Sequence, residues 1–304
     1  MKHNWKTGLA LSLTTTALWG FLPIVIKGVL REFDPFTTTW FRFVGSAALL
    51  GGWLSARPLA SLRPVLQGKR AYLLPLAILC MCGNFTFLAL SLTCQSPSVT
   101  QTVLQLGPPL VFVGGGVLFR EHIGRMQWVG FATLLLGLAC FFNTKLPLIF
   151  TEFGPQTHGV LYVALSACCF ASFSLSQKAL LSSMRPETIL FWAFCIGMLL
   201  LFPLATPSLL LKASPTGLVL LALAILLTLL PFFCFGQALR CWETSRVGAI
   251  VAMPPLVTVF ATGLVAYLIP DHVEPEHLNT MSYVGVALVV GGCMAGALGR
   301  SVQH

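Results

Sequence analysis

Charged side chains are scarce in this sequence. Asp, Glu, Lys and Arg together make up 9% of the 304 residues, whereas hydrophobic residues make up 56%. A soluble domain carries roughly 25% charged residues, so the composition excludes an ordinary soluble protein. About ten apolar runs, each close to the ~20 residues that cross a bilayer as a helix, occupy most of the chain. These runs predict an all-α polytopic membrane protein without a separate soluble catalytic domain.

Acidic residues are the scarcest charged residues, with nine Asp and Glu against eighteen Lys and Arg. None of the nine falls at mid-depth in a predicted helix, and all six His fall in loops or at termini. This distribution does not support a proton relay through buried carboxylates. It leaves facilitated transport, exchange, or proton coupling through a peripheral group such as Glu121.

Sequence signatures of catalysis are also missing. The chain has no Walker A motif and therefore cannot hydrolyse ATP by itself, and it has no HExxH or GxSxG motif. Most of its ten cysteines lie inside apolar runs, where small core residues are expected rather than disulfides. Cys80 and Cys82 have no further His or Cys beside them to complete a metal site. We predict no catalytic residues, no cofactor and no metal; an integral-membrane enzyme is the alternative of a different class.

Ten helices are predicted from the apolar runs and are numbered 1 to 10 in chain order. They cover residues 8–30, 35–56, 71–94, 97–119, 125–144, 156–180, 186–211, 215–240, 246–269 and 279–299. The first follows Lys2 and Lys6 and lacks a convincing cleavage site, so we interpret it as an uncleaved helix rather than a signal peptide.

Basic residues indicate how these helices cross the membrane. With the N-terminus in the cytoplasm, the inner segments hold thirteen Lys and Arg and the outer segments hold four. Cytoplasmic loops of membrane proteins are enriched in basic residues, so both termini are predicted to be cytoplasmic. The net charge of +9 then belongs to loops at the membrane surface, and no nucleic-acid partner is expected.

One tetrapeptide occurs twice, as Pro108-Pro109-Leu110-Val111 and as Pro254-Pro255-Leu256-Val257. Proline has no N–H and clashes with the carbonyl four residues earlier, so each pair is predicted to bend its helix and to free backbone carbonyls. In hydrocarbon, freed carbonyls need a partner inside the protein or in a water-filled cavity. The carbonyls concerned are those of Leu104, Gln105, Ile250 and Val251.

Other features repeat in the same order. Lys27 stands eight residues before Pro35, and Lys178 stands eight residues before Pro186. The predicted halves, residues 8–144 and 156–299, have five helices each, and an odd number requires that the second half be inverted relative to the first. Inverted repeats are a transporter architecture, with the substrate site near the midplane where the halves meet.

The order of residues resembles the EamA-type branch of the drug/metabolite transporter superfamily. The first half carries Ala17-Leu18-Trp19-Gly20, then Lys27, Pro35 and Arg42, and continues through Pro108 to Leu118-Phe119-Arg120-Glu121, Gly130 and Gly137. The second half departs from this pattern because no acidic residue follows predicted helix 9 where Glu121 follows helix 4. The resemblance implies ten helices in two inverted units around a central cavity. Helices 1, 3, 4, 6, 8 and 9 would line it, and helices 5 and 10 would be peripheral.

Three charged residues each have two interpretations. Arg42 lies about seven residues inside predicted helix 2, roughly 10 Å along its axis. It is either a counter-charge for a substrate carboxylate or a structural residue satisfied by freed carbonyls or by Asp34. Lys27 is expected to extend to the outer surface or to line the outer mouth. Glu121, beside two arginines, is either a loop anchor or a proton carrier.

Neutral residues complete the candidate substrate site, since a buried amide is costly without partners. Gln101 and Gln105 are four residues apart and are expected to share a helix face. The candidates besides Arg42 are Trp19, Asn84, Gln101, Gln105, Phe173, Gln177 and Gln237. The candidates for bending or gating are Pro108, Pro109, Pro254, Pro255 and Glu121.

Arg42 and the freed carbonyls together predict a site for a zwitterion such as an amino acid. The predicted function is a secondary transporter that exports amino acids or related small metabolites by alternating access; multidrug efflux by the same fold is the alternative. The expected partners are a small-molecule substrate and the lipid bilayer, and the expected location is the bacterial inner membrane. A homodimer stays open, because Gly130, Gly137, Gly285 and Gly291 permit close helix approach within one protomer or between two.

Overall fold

Helices account for almost all of the secondary structure. The computed structural model describes residues 5–55, 71–119, 124–143, 154–180, 183–241, 247, 250, 251, 253–268 and 278–298, and this part of the chain contains no β-strand. Its helices are α1 (Trp5–Val29), α2 (Pro35–Leu54), α3 (Leu73–Cys94), α4a (Pro97–Leu104), α4b (Gly107–Phe119), α5 (Arg125–Phe141), α6 (Pro155–Leu180), α7 (Pro186–Leu201), α8 (Pro215–Cys241), α9 (Pro254–Leu268) and α10 (Thr280–Leu298).

Several of these helices are long and apolar enough to cross a membrane. Six such segments occur in the described residues, namely Trp5–Val29, Leu73–Cys94, Pro97–Leu118, Pro155–Leu180, Pro186–Leu204 and Pro215–Phe235. Three shorter apolar helices, Arg125–Phe141, Pro254–Leu268 and Thr280–Gly296, accompany them. The predicted all-α multi-pass class therefore agrees with the helices observed.

Predicted helix 7 is too long. The α-helix ends at Leu201 and is followed by two 3₁₀ segments, Phe202–Leu204 and Pro207–Lys212. Pro203 and Pro207 explain the difference, because each removes a backbone donor and clashes with the carbonyl of the preceding turn.

The double prolines begin helices instead of bending continuous ones. α4a ends at Leu104, Gln105 and Leu106 form a turn, and α4b starts at Gly107, so both prolines of the first copy fall in the first turn of α4b. In the second copy, α9 starts at Pro254 itself. N–H groups in the first turn of a helix have no intrahelical acceptor, so proline loses nothing there. The predicted bend in helix 4 is thus a break between two helices.

The helices pack in pairs that relate the two predicted halves. α1 packs along α8, and α3 packs along α6; α1 also contacts α9, and α6 contacts α4b. If each helix of the first half is exchanged with the helix at the same position in the second half, the α1–α8 contact becomes the α6–α3 contact. In the same way, the α1–α9 contact becomes the α6–α4b contact. α2 with α7 and α5 with α10 are pairs that the exchange leaves unchanged. These pairs, which include the most extensive contacts of the described chain, thus have the symmetry expected of two related halves, whereas the smaller contacts α2–α3 and α1–α3 have no counterpart of similar size.

α5 and α10 approach closely through glycine. A Cβ on Gly130 would lie 2.5 Å from the carbonyl oxygen of Gly292, and a Cβ on Gly137 would lie 2.6 Å from the backbone nitrogen of Val289. Gly285 faces the backbone of Phe141 in the same contact, whereas a Cβ on Gly291 would have nothing within 4 Å. The close approach predicted for Gly130, Gly137 and Gly285 therefore occurs within one protomer, and Gly292 takes part in place of Gly291.

Candidate functional site

Arg42 is the most deeply buried charge in the described part of the chain. It lies seven residues into α2, and none of its side chain is exposed. Its Nε donates a hydrogen bond of 2.8 Å to Thr228 Oγ1 on α8, and the Thr228 hydroxyl donates onward to the carbonyl of Ala224. The guanidinium carbon lies 4.6 Å from the ring centroid of Phe85 on α3. Two neighbouring helices thus fix the position of the guanidinium.

The outer nitrogens of Arg42 have no such partner. Neither Nη1 nor Nη2 has a hydrogen-bond acceptor among the described residues. Asp34, a partner considered from the sequence, caps α2: its Oδ1 accepts from the backbone of Phe36 at 2.9 Å and of Thr37 at 3.0 Å. A buried charge that lacks partners costs several kcal/mol in an apolar interior. The N–H groups of Nη1 and Nη2 are therefore buried donors that no described residue accepts from.

Two hydroxyls flank Arg42 on the same helix face. Thr38 and Ser46 lie four residues before and after it, a spacing that places all three side chains on one side of α2. Both are fully buried, and both hydroxyl oxygens lack a partner among the described residues. We refer to Thr38, Arg42 and Ser46 as the α2 polar stripe. The adjacent Thr39 differs, since its hydroxyl donates to the carbonyl of Pro35 at 2.8 Å.

Aromatic rings connect the stripe to Trp19 on α1. Phe85 packs against Phe43 of α2, with ring centroids 5.3 Å apart, and stacks on Phe232 of α8 at 6.4 Å. Phe232 in turn meets Trp19 edge-on at 5.4 Å. Trp19 and Arg42 thus belong to one neighbourhood formed by α1, α2, α3 and α8.

Asn84 and Phe173 take part in helix packing. The side-chain amide of Asn84 donates to the backbone carbonyl and to the hydroxyl of Ser166, each at 3.0 Å. The Ser166 hydroxyl in turn donates to the backbone carbonyl of Asn84 at 2.9 Å. This exchange joins α3 to α6. Phe173 is buried in the hydrophobic core that also contains Phe43 and Phe85.

The predicted glutamines lie in different surroundings. Gln101 and Gln105 are buried, but Gln105 is the C-cap of α4a, so the two do not share one continuous helix. Gln177 on α6 and Gln237 on α8 are half-buried. Among the gating candidates, Pro109, Pro254 and Pro255 are buried, and Glu121 lies outside the described residues.

Two of the four freed carbonyls have partners inside the protein. The carbonyl of Ile250 accepts a hydrogen bond of 2.9 Å from Thr16 on α1, and that of Gln105 lies 3.8 Å from the Cys293 thiol on α10. Thr258, one turn after Pro254, donates at 2.7 Å to the carbonyl of Gly20. The second double proline therefore begins a helix that is joined directly to α1.

Lys27 binds the end of a neighbouring helix. Its ammonium group donates to the carbonyls of Leu92 and Gln95 at the C-terminus of α3, which is an outer end in the predicted orientation. The last carbonyls of a helix lack intrahelical donors and carry partial negative charge, so a lysine is favourable there. Lys27 is a structural cap in this conformation.

Sequence reasoning missed Thr38, Ser46, Thr228 and Phe232. The spacing of Thr38 and Ser46 around a buried arginine was the signal that could have found the first two. Thr228 stands 186 residues from Arg42, and no local pattern connects them.

Comparison with known proteins identifies the family. The EamA-like transporter family matches residues 6–143 and again residues 157–295. The chain belongs to the EamA-like transporter family. The resemblance inferred from the sequence is therefore confirmed, and this EamA protein is a multi-pass transporter of the bacterial inner membrane.

Individual relatives cover almost the whole chain. The uncharacterized inner membrane transporter YhbE of Escherichia coli K12 is 34% identical over 303 residues, which cover 99% of this chain and 94% of that protein. A probable amino-acid metabolite efflux pump of Salmonella typhimurium LT2 is 25% identical over 310 residues, covering 97% and 96%. A solved crystal structure shares the fold, with a TM-score of 0.64 and 19% identity over 98% of this chain and 99% of its own.

Proposed function

We propose that this EamA protein is a secondary transporter that exports amino acids or related small metabolites by alternating access. The substrate would cross through a central cavity between two inverted repeats, residues 8–144 and 156–299. The exchange symmetry of the helix contacts carries this proposal, because two related halves of opposite orientation provide two equivalent conformations. The name of the Salmonella relative supports the substrate class.

The contacts that would open alternately are those between α1 and α9 and between α6 and α4b. At the first, a Cβ on Gly20 would lie 2.5 Å from the side chain of Val257. At the second, a Cβ on Gly107 would lie 2.9 Å from the ring of Phe170. Both contacts depend on glycine, so small residues allow the halves to meet closely on either side of the site.

Buried positive charge favours metabolites over cationic drugs. Arg42 would repel a lipophilic cation that reached Phe85 and Phe232, whereas it would attract a carboxylate. Glu121 lies outside the described residues, so no structural observation supports proton coupling through it. Amino-acid export is therefore preferred to the multidrug alternative.

Counterflow in proteoliposomes tests the proposal. Vesicles containing the purified protein are loaded with one unlabelled amino acid and supplied with the same labelled amino acid outside. We expect transient accumulation of label above equilibrium for at least one amino acid, and none in vesicles without protein. The absence of counterflow for every amino acid would rule out the proposed substrate class.

A further inference from the structure

We propose that the α2 polar stripe is the binding site for the carboxylate of the substrate. Arg42 Nη1 and Nη2 would hold the carboxylate, and the hydroxyl of Thr38 or of Ser46 would donate a further hydrogen bond to a carboxylate oxygen. The inference rests on the proposed transport function and adds the chemical class of the substrate, which is a small monocarboxylate with an apolar body.

The first step of the argument is the orientation of Arg42. Its Nε is occupied by Thr228, and one face of its guanidinium lies over Phe85. The edge formed by Nη1 and Nη2 is the part of the group that no described residue contacts by a hydrogen bond. Two parallel N–H groups in a planar fork match the two oxygens of a carboxylate.

The second step is the clustering of unpaired atoms. More than nine in ten buried polar groups in proteins have a hydrogen-bond partner. Thr38, Arg42 and Ser46 are exceptions on three successive turns of one helix face, and all three are fully buried. Thr39, equally buried but on the neighbouring face, is paired within its own helix. Thr38 and Ser46 lie about 12 Å apart along the helix axis, so a small polar ligand at Arg42 would pair the guanidinium together with one of the two hydroxyls.

The third step is the charge that the site can hold. Arg42 is the one basic residue in a described helix that stands at least seven residues from both helix ends. Lys27 is bound to the end of α3, and Asp34 caps α2. Glu187, in the first turn of α7, is the one acid inside a helix of the described chain. A single uncompensated cation fits a single negative charge better than a dianion.

The fourth step is the shape of the rest of the ligand. Beyond Arg42, the rings of Phe85, Phe232 and Trp19 follow one another in contact. Aromatic rings favour an apolar body and offer no hydrogen-bond acceptor for a strongly polar one. The carboxylate of leucine or phenylalanine, or of the corresponding 2-oxo acid, has this combination of one anionic end and one apolar end.

Ligand binding to the purified full-length protein in nanodiscs tests the proposal without requiring transport. The probes are L-phenylalanine, L-leucine and phenylpyruvate, compared with L-phenylalaninamide and L-leucinamide, which keep the ammonium group and lose the carboxylate. A ligand that binds the folded protein raises its thermal unfolding midpoint. We expect at least one carboxylate to raise the midpoint, monitored by tryptophan fluorescence, and neither amide to do so.

Variants of the stripe then locate the binding. Arg42→Gln should weaken carboxylate binding by about 10- to 100-fold, and Arg42→Lys, which keeps the charge but not the fork, by less. Of Thr38→Val and Ser46→Ala, the variant that removes the hydroxyl in contact with the carboxylate should weaken binding by about 3- to 10-fold, and the other should have a smaller effect. Thr39→Val and Arg125→Gln are the matched controls, since the first removes a paired hydroxyl and the second an exposed arginine; both should bind as the parent protein does.

Stability without ligand distinguishes binding from a structural role. Removing an unpaired buried hydroxyl should leave the ligand-free midpoint unchanged or raise it, so we expect this result for Thr38→Val and Ser46→Ala. Arg42→Gln also removes the Nε hydrogen bond to Thr228 and should lower the ligand-free midpoint. If the amides bind as well as the carboxylates, or if no carboxylate binds, the proposal is wrong. A lower ligand-free midpoint in Arg42→Gln together with undiminished binding would also overturn it. Carboxylate binding without counterflow would instead refute only the transport proposal.

Discussion

At the scale of single residues, Arg42 is held by two unlike neighbours. Thr228 accepts its Nε hydrogen bond, and Phe85 covers one face of the guanidinium. The Thr228 hydroxyl donates its own hydrogen to Ala224, so its lone pairs face the arginine. This arrangement places the charge without neutralising it, which is what a recognition site for an anion requires.

Thr228 gives a prediction about positioning. Thr228→Val removes the acceptor of Nε, and an unpaired buried donor costs about 1–3 kcal/mol. We expect a lower thermal unfolding midpoint and weaker counterflow, whereas Thr228→Ser keeps the hydroxyl and should resemble the parent protein. Thr262 is the matched control, because it is a buried threonine of α9 whose hydroxyl has no partner among the described residues. Equal losses in Thr228→Val and Thr262→Val would contradict the positioning role.

The sequence was informative about Arg42 because a charge inside an apolar run is conspicuous. It was uninformative about Thr228, because serine and threonine are common in membrane helices and their pairing depends on neighbours far away in the chain. It also left the role of Lys27 undecided, since capping α3 requires knowing that α3 ends beside α1. Residue type predicted which groups are costly to bury, and packing determined which of them are paired.

At the scale of helices, apolar runs predicted the elements better than their ends. Helix 7 ends at Leu201 rather than at residue 211, and helix 4 is divided at Gln105. In both places proline was visible in the sequence. Whether proline bends a helix or begins a new one depends on the residues before it, and a two-residue turn in apolar sequence has no distinctive composition.

The contact between α5 and α10 gives a prediction at this scale. A Cβ on Gly292 would lie 2.5 Å from the carbonyl oxygen of Gly130, so Gly292→Val must separate two backbones. Overpacking of this kind costs about 1–3 kcal/mol, and we expect a lower unfolding midpoint. Gly291→Val is the control, because nothing lies within 4 Å of its Cβ position. If both variants unfold at the same temperature, α5 and α10 do not pack as described.

The junction between α1 and α8 gives a prediction about pH. Glu32, just after α1, accepts hydrogen bonds from the Ser214 hydroxyl at 2.5 Å and from the Ser214 backbone nitrogen at 2.7 Å. These bonds, with the side-chain bond first, lower the pKa of the Glu32 carboxyl. A carboxyl whose pKa is lowered by folding stabilises the folded state above its unfolded pKa, and the effect is lost as the pH falls through the folded pKa.

The unfolding midpoint should therefore fall as the pH is lowered from the ordinary glutamate pKa of about 4.3. Glu32→Gln should have a lower midpoint at neutral pH and a flatter response below that pKa. Glu187→Gln, which alters an acid at the start of α7, is the comparison and should keep the slope of the parent protein. An unchanged slope in Glu32→Gln would remove this junction as the source of the acid sensitivity.

At the scale of the whole molecule, the two halves are related by their contacts more clearly than by their residues. The repeated Pro-Pro-Leu-Val and the spacing of Lys27 and Lys178 suggested a repeat, and the pairs α1–α8 and α3–α6 have the corresponding symmetry. The halves are unequal in their chemistry, since Arg42 lies on α2 and the equivalent helix α7 has no basic residue between Pro186 and Leu201. The anion site that we propose is therefore expected once per chain, in the first half.

Membrane orientation is the property of the whole chain that a reporter can test directly. With a cytoplasmic N-terminus, as the thirteen-to-four distribution of basic residues predicts, five crossings in each half place the segment near Lys145 outside and the C-terminus inside. Alkaline phosphatase is active only outside the inner membrane, and green fluorescent protein fluoresces only inside. We expect phosphatase activity from a fusion after Lys145 and fluorescence from a fusion at the C-terminus, with each reporter silent at the other position. Fluorescence at both positions would mean an even number of crossings between Lys145 and the C-terminus, and the second half would then not be inverted.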